Sequence, residues 1–504
     1  MKVILISPYA DLQAFGIRII SACLKREGHE VQMLFLPQQF TVQYEDHLLN
    51  EVVEFSKGVD LIGISVMTNF FRNVSQITLK LKDAYNIPVL WGGIHPTIRP
   101  EECLGYADMV CIGEGEEAIV ELLNKMEKRQ SYYDVCGIWF KNKGSIITNP
   151  LRSLPSLDHI PFQDYDISTH FISNNGRIEK LDIKLLREYN GEIYMTLPTR
   201  GCPFGCTYCC NNTLNAMYPH QKPLRKRSVY SIIEELSEIK AIFPFINCIK
   251  FDDDAFFTFS VEEIKEFCIQ YKKLGLALII GGVTPTTLDR EKLSLLVDAG
   301  LNEFRMGIQT GNERTKKLYN RRYSNEQVER SVKIINEFKD RIVLPQFDIL
   351  LDNPWETDEE LIETLMFLSK LPPPYRLQIF SLTFYPGTEL YKKAKMDGMI
   401  TDDMKDVYLK SISYPNKTYL NRLFFLLSDY ASNGLRIPSQ IMHMLTNRNM
   451  RLFRLNWVFY VVLIMLISPF ALKRSINLVQ KGIKDVQNGD WFRIHRYIQK
   501  YFNA

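Results

Sequence analysis

Along the first 150 residues, short apolar runs at Val3–Ile6, Val31–Leu36, Leu61–Val66, Val89–Trp91 and Met109–Ile112 alternate with single amphipathic stretches such as Ile17–Glu27 and Val74–Tyr85. Short apolar runs of this kind suit strands buried on both faces, and stretches whose apolar positions recur every three to four residues suit helices. Strands separated by single helices predict a parallel, doubly wound, Rossmann-like α/β sheet over residues 1–150. Ligands of such sheets bind beyond the strand carboxyl ends, where the strand order reverses. The loops expected there read Ser7-Pro-Tyr-Ala-Asp-Leu-Gln-Ala-Phe-Gly16, Ser65-Val-Met-Thr-Asn69, Trp91-Gly-Gly-Ile-His-Pro-Thr97 and Ile112-Gly-Glu-Gly-Glu116. Their glycines admit a close backbone approach to a large ligand, although some are expected simply to make turns.

The second constraint is Thr199-Arg-Gly-Cys-Pro-Phe-Gly-Cys-Thr-Tyr-Cys-Cys210, which sets thiols at Cys202, Cys206 and Cys209 in C-x3-C-x2-C spacing. A [4Fe–4S] cluster takes four ligands, usually thiolates, so three close cysteines leave one iron open to something other than protein. Zinc is the alternative, but a zinc site normally completes four ligands nearby and His220 is the one close histidine. Cys210 reads as a small packing residue.

At 504 residues the chain exceeds one core, and 46% apolar with 24% charged residues is a globular composition. Ten cysteines without a secretion signal point to a reducing, cytoplasmic compartment. The net charge of +3 conceals a basic tail, since nine Lys/Arg against two Asp lie in 451–504. This local imbalance does not imply nucleic acid.

The cysteine loop strongly resembles the cluster motif of the radical S-adenosylmethionine (SAM) superfamily. The resemblance implies that Cys202, Cys206 and Cys209 hold the cluster. It also implies that SAM chelates the open iron and is cleaved by one electron to a 5′-deoxyadenosyl radical, and that Tyr208 sits on the adenine side. It continues through Asp252-Asp-Asp-Ala-Phe-Phe257, where Asp253 is expected near SAM or substrate, and through Phe304-Arg-Met-Gly-Ile-Gln-Thr-Gly311. The latter resembles the family's G-I-E-S-G element with Gln309 at the acidic position and Thr310 next. It includes Phe347–Asp358, with Thr357 as an expected helix N-cap, and Ser381–Tyr391. A partial (β/α) barrel over 191–400 follows, with residues 151–190 as linker.

The N-terminal loops together resemble the cobalamin-binding domain that precedes the barrel in one radical SAM branch, whose members include class B methyltransferases. By that resemblance Asp11, Gln13, Gly16, Ser65, Gly92 and Gly93 contact cobalamin. Asp11, Gln13 and Gly16 fit the spacing of the D-x-H-x-x-G loop, but Gln13 stands where a cobalt-ligating histidine would be, and an amide is a far poorer cobalt ligand. His95, before Pro96, reads as structural.

The implied cofactors are a [4Fe–4S] cluster, SAM and cobalamin, with an electron donor such as flavodoxin or ferredoxin. The implied reaction is methylation of an unactivated carbon, with non-methylating radical chemistry as the near alternative and a cobalamin-dependent sensor as the distant one. Residues 401–504 read as a helical C-terminal region. Within them Leu455–Leu472 is an uncharged stretch of 18 residues, at the short limit for a bilayer crossing, which takes about 20. Basic residues on both sides favour a monotopic anchor at the inner face of the membrane over a crossing. A buried helix is the alternative. An anchor would make a lipid or other apolar substrate attractive.

Overall fold

The computed structural model describes residues 1–448. The apolar segment 455–472 and the rest of the basic tail lie outside the described residues. Among those described, no helix is long and apolar enough to cross a membrane. The chain divides into two compact units: Met1–Phe256 with Lys273–Leu276 and Thr383–Ser411 form the first, and Phe257–Lys272, Ala277–Leu382 and the chain from Ile412 form the second.

The expected strands of the first domain are present as β1 (Lys2–Ser7), β2 (Glu30–Phe35), β3 (Leu61–Ser65), β4 (Val89–Gly92) and β5 (Met109–Cys111). Four more strands, β6 (Ile138–Asn142), β7 (Ser145–Ile147), β8 (His170–Asn174) and β9 (Arg177–Lys180), extend the sheet to the order β7-β6-β5-β4-β3-β1-β2-β8-β9. The pairs from β5 through β2 to β8 are parallel, while β5–β6, β6–β7 and β8–β9 are antiparallel. In β1 every residue after Lys2 is buried, as expected for a strand covered on both faces. The helix Phe15–Arg26 follows β1 and places Lys25 and Arg26 in its last turn, complementing the helix dipole.

Residues 151–190, expected as linker, supply β8 and β9. The hairpin turn uses Asn175 and Gly176, both at positive φ (49° and 77°), the backbone that an Asn-Gly turn adopts. Arg18, fully buried, ties this segment to the loop after β1. It donates to the carbonyls of Leu12 (3.1 and 2.9 Å), Gln13 (3.2 Å) and Asp164 (2.8 Å), and its guanidinium lies 4.0 Å from the Tyr165 ring centre.

Still in the first unit, β10 (Ile193–Thr196) pairs in parallel with β13 (Cys248–Phe251), and β11 (Thr199–Arg200) pairs antiparallel with β12 (Arg225–Lys226). The helix Val229–Ile242 is capped by Ser228, whose hydroxyl accepts from Ser231 N. The second unit carries the parallel strands β14 (Ala277–Val283), β15 (Leu301–Gln309), β16 (Gln346–Leu351) and β17 (Arg376–Ser381), alternating with helices. Thr357 caps the helix Asp358–Lys370 through a reciprocal capping box with Glu360.

Candidate functional site

The order β5-β4-β3-β1-β2 reverses direction between β3 and β1. A cleft of about 890 Å³, solvent mouth included, opens there and is lined from the ends of β1, β3, β4 and β5 and by the helix after β1. This is where a doubly wound sheet is expected to hold a ligand. The wall is mostly aliphatic, with Leu5, Ile20, Ile64 and Ile119 among it, and contains Gly16, Ser65, Gly92 and Gly93. Gly93 has φ +107°, and a Cβ there would come within 3.0 Å of the Val66 carbonyl oxygen. A Cβ on Gly115 would meet Ile119, Cys111 and Ile20 at 3.0–3.2 Å, so the wall is tight at these two glycines. Burial pushes the Cys111 thiol up to about 12, leaving it neutral.

Asp11 and Gln13 do not line the cleft. Asp11 is exposed and its carboxylate accepts from Gln13 N (3.0 Å), closing a local turn. Gln13 Oε1 is buried without a hydrogen-bond partner among the described residues, and Arg18 holds the backbone of the same loop. His95 is fully buried among aromatic rings, 4.9 Å from Phe71 and 5.1 Å from Tyr408, and burial pushes its imidazole down to about 3, a neutral structural residue.

The cysteine loop is closed at its base by the β11–β12 pair. Gly201 follows β11 at φ +82°, and a Cβ there would overlap the Pro223 carbonyl oxygen, so the loop passes a point that only glycine fits. Cys202 and Cys206 are buried and Cys209 is half-buried, with Tyr208 half-buried beside it. Cys209 is the N-cap of the helix Cys210–Met217, and a hydrogen bond with Cys210 together with burial holds its thiol in the neutral form. Asn215 donates to the Cys202 carbonyl (2.8 Å), and Leu390 N donates to the Thr207 carbonyl (3.1 Å). Burial pushes the Cys202 thiol up to about 12, a thiol that a metal must deprotonate on binding. Among the described residues no three His, Cys, Asp or Glu side chains converge on a single-ion site. Ligands to an iron–sulfur cluster need not converge so, because each takes a different iron.

Asp253 is 3% exposed and accepts three hydrogen bonds, from Thr199 N (2.6 Å), Thr199 Oγ1 (2.9 Å) and Ala255 N (2.7 Å). Its role in the structure is to pin the start of the cysteine loop to the end of β13. Burial raises its carboxyl to about 6. Asp254 accepts from Asn211 Nδ2 (2.7 Å), a second tie between the same segments.

Sequence reasoning missed the charges that join loop and cleft. Leu197 and Arg200, just ahead of Cys202, form part of the cleft wall, as do Glu114 and Glu116. Arg200 pairs with Glu114 at 3.0 Å and with Glu116 at 2.7 Å, and Arg225, opposite it in the β11–β12 pair, binds Glu114 through both terminal nitrogens. Tyr218 reaches the same glycine-rich loop, its hydroxyl occupying the space a Cβ on Gly113 would need.

In the second unit Gln309 ends β15 at φ +59°, is 9% exposed, and its Oε1 has no hydrogen-bond partner among the described residues. A buried, unpaired amide oxygen is costly unless a ligand supplies a donor. Thr310 is committed elsewhere, its hydroxyl lying 2.9 Å from that of Thr364. The half-exposed face of β15 and β16 is polar: Arg305 donates to Asp348 (2.5 Å) with its guanidinium 5.0 Å from the Phe380 ring centre, and Gln346 donates to Glu303 (2.5 Å).

Residues 1–123 match the B12 binding domain and residues 196–368 the radical SAM superfamily. The chain is 26% identical over 390 residues to an uncharacterised methyltransferase of Pyrococcus horikoshii, covering 75% of this chain and 78% of the relative. It is 23% identical over 384 residues to the bacteriochlorophyllide d C-8(2)-methyltransferase of Chlorobaculum tepidum, covering 72% and 75%. In fold it is similar to the radical SAM methyltransferase TsrM of Kitasatospora setae, solved with cobalamin and a [4Fe–4S] cluster bound, at TM-score 0.61 and 18% identity over 79% of this chain and 75% of that one.

Proposed function

We propose, for a chain that belongs to the cobalamin-binding radical SAM enzymes, that it transfers a methyl group to an unactivated carbon of a small molecule. The cofactors of such an enzyme are a [4Fe–4S] cluster, SAM and cobalamin. Together they supply a carbon-centred radical for hydrogen abstraction and a methyl donor. What carries the reading is that residues leading into the cysteine loop, Leu197 and Arg200, are also wall residues of the cleft at the strand-order reversal. On this reading one segment serves both cofactors.

Cys202, Cys206 and Cys209 are assigned to the cluster, and Gly16, Ser65, Gly92 and Gly93 to the wall that orients cobalamin and excludes water. Asp253 keeps the cysteine loop in register with β13. Gln309, with its unpartnered carbonyl, is assigned to SAM, and Tyr208 to its adenine side. The electron comes from a flavodoxin or ferredoxin type donor. The expectation of a lipid substrate rested on residues 455–472, which lie outside the described residues.

Anaerobic reconstitution with iron, sulfide and hydroxocobalamin, followed by incubation with SAM, a reductant and extract-derived small molecules, tests this. The expected products are 5′-deoxyadenosine and S-adenosylhomocysteine together, both lost in Cys206→Ala. Deoxyadenosine without S-adenosylhomocysteine would replace methyl transfer by a non-methylating radical reaction.

A further inference from the structure

The glycine-rich loop after β5 carries two carboxylates in a cleft whose wall is otherwise mostly aliphatic. Glu114 and Glu116 flank Gly115, and Glu116 is only 7% exposed. Two buried or half-buried carboxylates on one short loop are costly unless cations meet them. The cations come from the base of the cysteine loop. Arg200 pairs with both, at 3.0 and 2.7 Å, and Arg225 grips Glu114 while also donating to the Pro155 carbonyl at 2.8 Å. Because Arg200 and Arg225 are partners in the β11–β12 pair, both ends of the loop 201–224, which contains all three cluster cysteines, are held by one pair of carboxylates. Those carboxylates and Arg200 also line the cleft.

We propose that Glu114, Glu116, Arg200 and Arg225 are positioning residues that couple the two cofactor sites energetically. Cobalamin then binds more tightly when the cluster is in place, and the cluster is held more tightly when cobalamin is bound. The physical source is shared ordering. A ligand in the cleft immobilises the 113–116 loop and Arg200, a cluster immobilises 202–209, and the clamp makes these one element whose ordering cost is met by whichever ligand binds first. Linkage requires the effect to be equal in both directions. The inference rests on the functional reading above.

Equilibrium dialysis of hydroxocobalamin against the full chain, with its cluster loaded and with Cys202, Cys206 and Cys209 replaced by Ala, measures the coupling by absorbance, independently of turnover. Removing the cluster is expected to weaken cobalamin binding roughly tenfold. In Glu114→Gln and in Arg225→Met the ratio is expected to fall to within about twofold, and cobalamin should no longer slow the loss of cluster iron to a chelator. The conservative variant Arg225→Lys, which keeps the charge facing Glu114, should retain part of the ratio, which a merely misfolded single variant would not predict. Equal cobalamin affinity with and without the cluster, or full coupling in the single variants, overturns the inference and leaves the functional reading standing. No cobalamin on either form overturns the functional reading, and this inference with it.

Discussion

The cleft and the cysteine loop lie in the same unit but are built by opposite means. The cleft is a product of topology: its walls are the ends of parallel strands, its space comes from glycines, and its shape persists as long as the sheet does. The cysteine loop has almost no regular structure between the two-residue strands that close it and the helix that begins at Cys210. It is held by discrete pins: Gly201 against Pro223, Asp253 on Thr199, Asn215 on the Cys202 carbonyl. A site made by a sheet tolerates the loss of one contact, whereas a site made by pins does not.

That contrast is most exposed by Gly201→Ala. A methyl group there collides with backbone, which cannot rotate away, so cluster iron per chain should fall more than tenfold while the cleft still takes up cobalamin. Full iron loading of this variant would mean the loop has slack that its geometry denies.

A smaller effect is expected at the pin on β13. Burial raises the Asp253 carboxyl to about 6, so the folded protein holds this proton more tightly than the unfolded chain. Its contribution to stability is therefore greatest below about pH 4 and declines as pH rises to about 6, after which it is flat, a change on the order of 2–3 kcal/mol. In the cluster-free protein, urea midpoints should show that decline, and Asp253→Asn should flatten it. An unchanged slope in the variant would place the titration elsewhere.

The smallest effect belongs to the cleft. Gly93→Ala meets both a positive φ and a backbone oxygen at 3.0 Å, and the strain of about 1–2 kcal/mol should weaken cobalamin binding by roughly tenfold. Gly16→Ala, where a Cβ has nothing within 4 Å, should leave binding within about twofold. If the two variants behave alike, the cleft is pinned after all.

The same contrast explains what could be read in advance. Strands β1 to β5 announce themselves by apolar runs, and Thr357 announces its helix because a capping box is local chemistry. The cysteine triad is visible because its spacing is short. The clamp is not, since Arg225 and Glu114 stand 111 residues apart and nothing periodic marks either. Asp11 shows how a side chain can close its own turn at the spacing of a ligand motif. The β8–β9 hairpin had a signal in Asn175-Gly176, obscured by the prolines that precede it. Thr310 was legible as a position, but not as a hydroxyl engaged by Thr364.

The sheet order has a further consequence for solubility. Parallel strands left bare at an edge are templates for another chain. Here the parallel run ends on both sides in a short antiparallel hairpin, β6–β7 beyond β5 and β8–β9 beyond β8's parallel neighbour β2. The outermost strands are three and four residues long, and β9 reads Arg-Ile-Glu-Lys. Borders this short, one of them charged, offer little to pair with, so the first unit can expose its cleft at the strand ends with little strand-to-strand association along its sides.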